Sequence, residues 1–170
     1  MPTRRKIADP APVNLLDMDA AVRRRLSAPG LRTFVRIAEQ WGLSEQERLR
    51  VLGRPGRSTY HLWIGKARAG HEIVLPFDAL LRISAMLGIH KALEIIFARQ
   101  DEAARWLRSP NAGILFGGQR PVDLLTSGSQ DHLMLLRRHL DAWRGGTFSA
   151  PRPYFDASAP IVTDGDIVFV

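Results

Sequence analysis

The chain contains no cysteine, which excludes disulfide bonds and thiolate metal sites. No apolar run approaches the roughly 20 residues that a membrane-spanning helix needs. The N-terminal residues MPTRRKIADPAPVN are basic, but no apolar stretch follows them, so a secretory signal is not expected. β-Strand signals are nearly absent before residue 147. These absences predict a mostly α-helical protein without a membrane segment, for which we expect a cytoplasmic location.

The common signatures of catalysis are missing as well. The sequence has neither Gly-x-Ser-x-Gly nor His-Glu-x-x-His. The run Gly-Arg-Ser-Thr at residues 56–59 resembles the end of a phosphate loop but has arginine in place of the required lysine. His132 and His139, seven residues apart on one predicted helix, make a weak metal site by themselves and are expected at the surface. We therefore expect a binding protein with no catalytic residues, no cofactor and no metal.

The positive charge is confined to one part of the chain. The 170 residues, enough for one sizeable or two small domains, carry a formal net charge of +7. Residues 1–70 hold 14 basic and 6 acidic side chains, whereas residues 71–170 hold 10 and 11. A basic segment beside a neutral one is typical of a chain in which only one part binds a polyanion. Since only three of the basic residues are lysines, an arginine-rich genome composition is an alternative explanation.

Proline and glycine divide the first hundred residues into predicted elements. Residues 1–29 are expected to form a basic arm and a short helix, which Pro29 and the glycine after it end. Apolar residues at helical spacing predict the next helix over residues 31–41. A later helix, opened by a proline, is predicted to end at Gly88, before a separate helix over residues 89–97.

The pattern between these helices is typical of a helix-turn-helix. Ser44 and Glu47 match a capping box that begins one helix, and a glycine-containing turn leads to a second helix over residues 57–66. The first turn of such a second helix faces the major groove, where arginine pairs with guanine, and more distant cations contact phosphates. The candidate DNA-binding residues are therefore Arg54, Arg57, Ser58, Thr59, His61, Lys66 and Arg68. The residues of this helix expected in the core are Tyr60, Leu62 and Trp63.

Residues 30–98 resemble an Xre-like helix-turn-helix domain. The resemblance is carried by STYHLWIGKARAGHEIVLPFDALLRISAMLGI, in which a tryptophan near a helix end precedes a loop with glycine and lysine, then a proline and an amphipathic helix. The turn of residues 54–56 is longer than in the simplest form of the motif. The resemblance implies operator binding, usually by a dimer that matches two half-sites. A domain that has lost DNA binding and serves as a scaffold is the alternative.

A more specific pattern occupies residues 99–146. It reads RWLRSPNAGILFGGQRPVDLLTSG from Arg105 to Gly128 and is followed by a helix that ends in Leu-x-x-Trp-x-Gly. This pattern resembles the toxin-binding domain of the Xre/MbcA/ParS antitoxins. The motif residues, expected to be mainly structural, are Trp106, Leu107, Asn111, Gly117, Gly118, Pro121, Asp123, Leu124, Leu125 and Gly128. The core of the module is expected to consist of Trp106, Leu107, Leu115, Phe116, Leu124 and Leu125.

Four of the motif residues have a local structural reason. Gly117 and Gly118 allow backbone conformations that a Cβ atom disfavours. Pro121 presets the start of a helix, and Asp123 in its first turn interacts favourably with the helix dipole. We therefore expect a glycine-containing loop followed directly by a short helix.

The resemblance also implies a function. Antitoxins of this type neutralise a RES-domain toxin, which degrades NAD or transfers ADP-ribose, and they repress their own operon. We accordingly expect a type II antitoxin whose partners are the cognate RES toxin and operator DNA, as a homodimer or in a toxin–antitoxin complex. A stand-alone transcriptional regulator without a toxin is the main alternative, and a small enzyme is disfavoured by the missing catalytic motifs.

The tail, residues 147–170, is long and differs in composition from the rest. Prolines punctuate its first half, and an Asp-Gly pair between apolar β-branched residues near its end predicts a short β-hairpin. The resemblance implies that the C-terminal part approaches the active site of the toxin. The toxin-binding candidates are Arg144, Arg152, Tyr154, Phe155, Phe169 and Val170. Alternatively, the tail covers its own helices or a dimer interface, for which Leu133, Leu136 and Leu140 form one predicted seam.

Overall fold

The computed structural model describes residues 19–145, and this part of the chain forms seven α-helices and no β-strand. The helices are α1 (Ala20–Gln40), α2 (Glu45–Val51), α3 (Arg57–Arg68), α4 (Phe77–Ile96), α5 (Gln100–Arg108), α6 (Pro121–Leu125) and α7 (Gln130–Arg144). The mostly α-helical class predicted from the sequence is confirmed. The basic arm and the hairpin predicted in the tail lie outside the described residues.

Helix α4 is the centre of the fold. It packs against α1 from the N-terminal part of the chain and against α7 from the C-terminal part. One continuous apolar core includes residues of all three helices. Helices α2 and α3 complete the N-terminal bundle, and α5 and α6 complete the C-terminal module. The two patterns recognised in the sequence therefore fold around a shared helix.

Helix α1 is continuous through Pro29, so the predicted end of a helix at this residue is wrong. A proline in a helix interior removes one backbone hydrogen bond and costs about 3 kcal/mol. Pro29 itself is exposed, but Leu31, Phe34 and Ala38 on the same helix are fully buried. Because α1 packs along both α3 and α4, burial of this apolar face outweighs the local cost of the proline.

Helix α4 is likewise continuous through Gly88, which was expected to end it. The glycine leaves room for a side chain of a neighbouring helix. A Cβ atom at Gly88 would lie 2.5 Å from Cζ of Arg137 on α7, and the guanidinium of Arg137 donates a hydrogen bond of 3.2 Å to the carbonyl of Ser84. The absence of a side chain at Gly88 thus accommodates the Arg137 guanidinium and does not end the helix.

The predicted dimer seam on α7 is also wrong. Leu133, Leu136 and Leu140 are 0–1% exposed and belong to the core of their own chain. Their helical spacing indicates an apolar face, but α4 of the same molecule covers that face.

One buried polar contact joins α1 to the segment before α4, and it yields a stability prediction. The fully buried hydroxyl of Ser27 donates to the carbonyl of Arg23 at 2.6 Å and accepts from the backbone N–H of Leu75 at 2.9 Å. Ser27→Ala should leave the Leu75 N–H without its partner and lower the free energy of unfolding by about 1–2 kcal/mol. Urea denaturation measures this effect. Ser109→Ala, which deletes an exposed hydroxyl bonded to the carbonyl of Arg105, is the control, and equal losses in both variants would contradict the prediction.

Candidate functional site

The capping box predicted at the start of the helix-turn-helix is present. Ser44 Oγ accepts from the backbone N–H of Glu47 at 3.3 Å, and the Glu47 carboxylate accepts from the N–H of Ser44 at 2.7 Å. Helix α2 then leads through a turn to α3, as predicted. Tyr60 of α3 is buried, in agreement with its predicted core position, but Leu62 is 55% exposed, so its assignment to the core is wrong.

The first turn of α3 presents one exposed group of polar side chains. Arg57, Ser58, Thr59 and His61 are all exposed. Glu45, the first residue of α2, contacts two of them: its carboxylate accepts from Nε of Arg57 and lies 3.3 Å from Nε2 of His61. The carboxylate orients both side chains and offsets the positive charge of Arg57, a feature that the sequence pattern did not indicate.

The remaining cationic candidates occupy two different places. Lys66 and Arg68 are exposed at the C-terminal end of α3, where Arg68 lies 3.7 Å from Glu39 of α1. Arg54 has a φ angle of +62°, in the left-handed region, and its guanidinium lies against the C-terminal module. A Cβ atom at Gly128 would be 3.1 Å from Nε of Arg54. The structure therefore separates Arg54 from the candidates on α3.

The core of the C-terminal module contains most of the predicted residues. Leu107, Phe116 and Leu125 are buried, and the partly buried members of the predicted set are Trp106, Leu115 and Leu124. The Trp106 ring lies 5.8 Å from Phe116 and 5.6 Å from Trp143, measured between ring centroids. Perpendicular and tilted arrangements of this kind are favourable for aromatic rings. The module thus packs on an aromatic cluster.

His139 belongs to this cluster, although it was expected at the surface. Its ring centroid is 5.2 Å from that of Phe116, and the two planes are nearly perpendicular. Burial among these rings lowers the pKa of His139 below its usual value. The neutral imidazole is therefore favoured in the folded protein.

The loop between α5 and α6 is closed on itself by hydrogen bonds. The N–H of Asn111 donates to the carbonyl of Gln119 at 3.1 Å, and the N–H of Gly118 donates to the carbonyl of Asn111 at 2.9 Å. The side-chain oxygen of Asn111 accepts from the N–H of Gly113 at 2.8 Å. Gly117 and Gly118 have φ angles of +55° and +89°, which confirms the predicted need for glycine.

Ile114 lies at the tip of this closed loop and is fully exposed. A single exposed apolar side chain is ordinary on a protein surface, whereas a contiguous apolar patch indicates an interaction site, so the neighbours of Ile114 decide its significance. One feature of the sequence could have indicated this residue, because Ile114 is a large apolar residue in a segment rich in glycine. Ile114 is not, however, one of the family-motif residues.

An open hollow of about 790 Å³ lies between this loop and α7. Its lining, mainly apolar, consists of Trp106, Asn111, Gly113, Ile114, Leu115, His139 and Trp143. Helix α7 ends one residue after Trp143, and the exposed Arg144 there lies 3.2 Å from Asp141. The other predicted toxin-binding residues, Arg152, Tyr154, Phe155, Phe169 and Val170, lie outside the described residues. We name the hollow and the Ile114 tip together the aromatic surface.

The start of α6 is organised as the motif predicted. Pro121 is its first residue, and the carboxylate of Asp123 accepts from the backbone N–H of Arg120 at 3.1 Å and from its guanidinium at 2.7 Å. The guanidinium of Arg120 lowers the pKa of Asp123 below its usual value. The contacts of Asp123 with Arg120 and the burial of Pro121 give both residues structural roles.

Arginines that the sequence did not single out tie the C-terminal module to the N-terminal bundle. The guanidinium of Arg108 on α5 donates to the carbonyl of Trp41 at 3.1 Å and to that of Gly42 at 2.7 Å. The guanidinium of Arg82 on α4 donates to the carbonyl of Gly128 at 3.0 Å. Such charged hydrogen bonds to backbone carbonyls are stronger than neutral ones, so they hold the module against the N-terminal bundle.

Two kinds of feature are absent from residues 19–145. No helix there is both long and apolar enough to cross a membrane. The same residues contain no group of three His, Asp or Glu side chains that could hold a metal ion.

Comparison with known proteins identifies both parts. Residues 17–88 match the antitoxin Xre-like helix-turn-helix domain, and residues 92–146 match the antitoxin Xre/MbcA/ParS C-terminal toxin-binding domain. The chain is 40% identical over 116 residues to the "Uncharacterized protein y4oB" of Sinorhizobium fredii (strain NBRC 101917 / NGR234), an alignment that covers 68% of this chain and 84% of that protein. No solved structure gives a significant match.

The chain belongs to the Xre/MbcA/ParS antitoxin family. Its domains are those of a type II antitoxin. The toxin-binding domain implies a toxin partner, and the helix-turn-helix suggests DNA binding.

Proposed function

We propose that this antitoxin neutralises a RES-domain toxin that consumes NAD, and that it does so through the aromatic surface and the tail. The observation that carries the proposal is the fully exposed Ile114 beside an apolar hollow within the toxin-binding domain. Apolar and aromatic side chains in such hollows dominate the binding energy of protein interfaces. The toxin-binding domain supports a toxin partner. The RES class is proposed because the motif of residues 99–146 resembles that of antitoxins that neutralise RES toxins.

In this proposal the C-terminal module, residues 99–146, binds the toxin, and the tail, residues 147–170, inhibits it. The closed loop holds Ile114 in one position, so little conformational entropy is lost when the toxin docks. The chain continues beyond Gly145 from the edge of the same surface. Arg144, Arg152, Tyr154, Phe155, Phe169 and Val170 would then extend toward the active site of the toxin. Arginine suits a pyrophosphate site there and an aromatic ring suits a nicotinamide site.

Co-purification with the toxin tests this proposal. The product of the adjacent gene is expressed with the full-length antitoxin or with a chain that ends at Gly146, and NAD turnover by the captured complex is measured. We expect both chains to capture an NAD-consuming protein and only the full-length chain to silence it. Silencing by both would place the inhibitory contact in residues 99–146. Failure of both to capture any toxin would favour a stand-alone regulator.

We also propose that the protein represses its own operon through α3. The exposed group of Arg57, Ser58, Thr59 and His61 at the start of α3 carries this second function, because it has the donors that read base edges in the major groove. Lys66 and Arg68 would contact phosphates. Arg54, in the turn before α3, has its guanidinium beside Gly128. We therefore propose a smaller contribution to DNA binding for Arg54 than for the residues of α3. Two half-sites would be bound by a homodimer or by antitoxins paired within the toxin complex.

A further inference from the structure

We propose that, in the toxin-free protein, residues 148–155 of the tail dock intramolecularly in the hollow of the aromatic surface. The segment has the sequence FSAPRPYF. The docking itself requires neither a toxin nor DNA, so it stands independently of the functions proposed above. Where a toxin binds the aromatic surface, it would displace this segment and so release Tyr154 and Phe155 for contact with the toxin.

The first observation is the chemistry of the hollow. Two tryptophans, Trp106 and Trp143, line it together with the apolar side chains of Ile114 and Leu115. No side chain from residues 19–145 covers Ile114. Contiguous apolar surface of this kind is favourable to bury at about 25 cal/mol per Å², so an occupant with aromatic or proline side chains is expected.

The second observation is the point from which the tail departs. Helix α7 ends at Arg144, directly after Trp143, which lines the hollow. Phe148 follows the end of the helix by four residues, which span at most about 14 Å, and Tyr154 by ten residues, which span at most about 35 Å. A segment attached by so short a linker has an effective concentration in the millimolar range. Weak apolar contacts are therefore sufficient to hold it in place.

The third observation is the composition of the segment. It contains Phe148, Tyr154 and Phe155, with Pro151 and Pro153 between them. Proline-rich segments lose little entropy on binding and dock in grooves with aromatic walls. Arg152, its one charged residue, can stack on a tryptophan face. The last ten residues fit less well, because Asp164 and Asp166 interrupt their apolar side chains.

Tryptophan indole signals in a ¹H–¹⁵N correlation spectrum of the full-length, toxin-free chain test this proposal. The chain has four tryptophans, and only Trp106 and Trp143 line the hollow. Tyr154→Ala combined with Phe155→Ala is compared with the wild type. The matched control, Ile167→Ala combined with Val168→Ala, removes two apolar side chains from the end of the same tail.

We expect the double substitution at Tyr154 and Phe155 to shift the indole signals of Trp106 and Trp143 and to leave those of Trp41 and Trp63 unchanged. The control variant should match the wild type, and the wild-type signals should not depend on protein concentration. Unchanged signals in every variant would overturn the proposal, because the hollow would then be uncovered without toxin. Shifts that grow with protein concentration would overturn it in favour of a second copy of the chain as the occupant.

Discussion

Replacement of Ile114 by aspartate is expected to weaken the complex with the toxin by about 30- to 100-fold. Loss of a central apolar side chain from a protein interface costs about 2 kcal/mol or more, which corresponds to about 30-fold in Kd. The aspartate adds the cost of burying an unpaired charge against an apolar surface. The dissociation constant of the co-purified complex, measured by calorimetry or surface-based kinetics, gives the size of the effect.

The same substitution should leave the stability of the free antitoxin unchanged. Ile114 is fully exposed, and the hydrogen bonds that close its loop involve Asn111, Gly113, Gly118 and Gln119. Substitutions at such exposed positions usually change the free energy of unfolding by less than about 0.5 kcal/mol. A loss of affinity can therefore be assigned to the interface and not to unfolding.

Ile95→Asp provides the matched control for this experiment. Ile95 is 57% exposed on α4 and does not line the hollow. We expect wild-type affinity in this variant. Equal weakening by both substitutions would show that charge in general, and not the aromatic surface, determines toxin binding. Wild-type affinity in Ile114→Asp would move the toxin interface away from the loop tip.

Replacement of Arg57 and Lys66 by alanine together is expected to lower operator affinity by about 100-fold. The two residues should contribute in different ways. Loss of a paired arginine–guanine contact costs about 1–3 kcal/mol and relaxes preference at one base pair. Loss of a phosphate contact by Lys66 weakens binding to all DNA sequences. It also reduces the steepness of the plot of log affinity against log salt concentration by about 0.9. Single variants, titrated against operator and unrelated DNA at several salt concentrations, separate the two effects.

Lys91→Ala serves as the control for loss of a positive charge. Lys91 is exposed on α4 and is not part of the helix-turn-helix, and its removal should leave specific affinity unchanged. If the double variant at Arg57 and Lys66 retained wild-type affinity and salt dependence, α3 would not be the DNA-binding helix. The helix-turn-helix would then serve as a scaffold for the toxin-binding domain.

The two proposed interfaces, the aromatic surface for the toxin and α3 for DNA, belong to one body with a common apolar core. Helix α4 belongs to the cores of both the N-terminal bundle and the C-terminal module, and Arg82 and Arg108 bond across the boundary between them. Arg54 extends from the helix-turn-helix to Gly128 of the module. A toxin on the aromatic surface would thus be held at a constant orientation to any DNA on α3.

Local signals in the sequence are sufficient for much of this molecule. The capping box of Ser44 and Glu47, the proline at the start of α6 and the glycines at 117 and 118 each depend on contacts within a few residues. The local geometry of the chain therefore determines these three features, whatever the rest of the fold. The spaced motif of the C-terminal module is specific enough to indicate the family from the order of its residues alone.

Other features depend on which surfaces meet, and no local pattern contains that information. Pro29 and Gly88 are helix-ending residues by propensity, but burial against α3, α4 and α7 keeps both helices continuous. The leucines of α7 indicated an apolar face without indicating that α4 would cover it. His139 lies in the aromatic cluster only because α7 packs beside the loop that carries Phe116.

By itself, then, the sequence determined the helical class, the family and the local starts of several helices, because these depend on neighbouring residues. Only the tertiary structure decided that Arg54 turns toward Gly128, that Glu45 contacts Arg57, and that Ile114 remains exposed beside two tryptophans. These positions follow from packing between residues distant in the chain, whose free energy depends on the shapes and areas of whole faces.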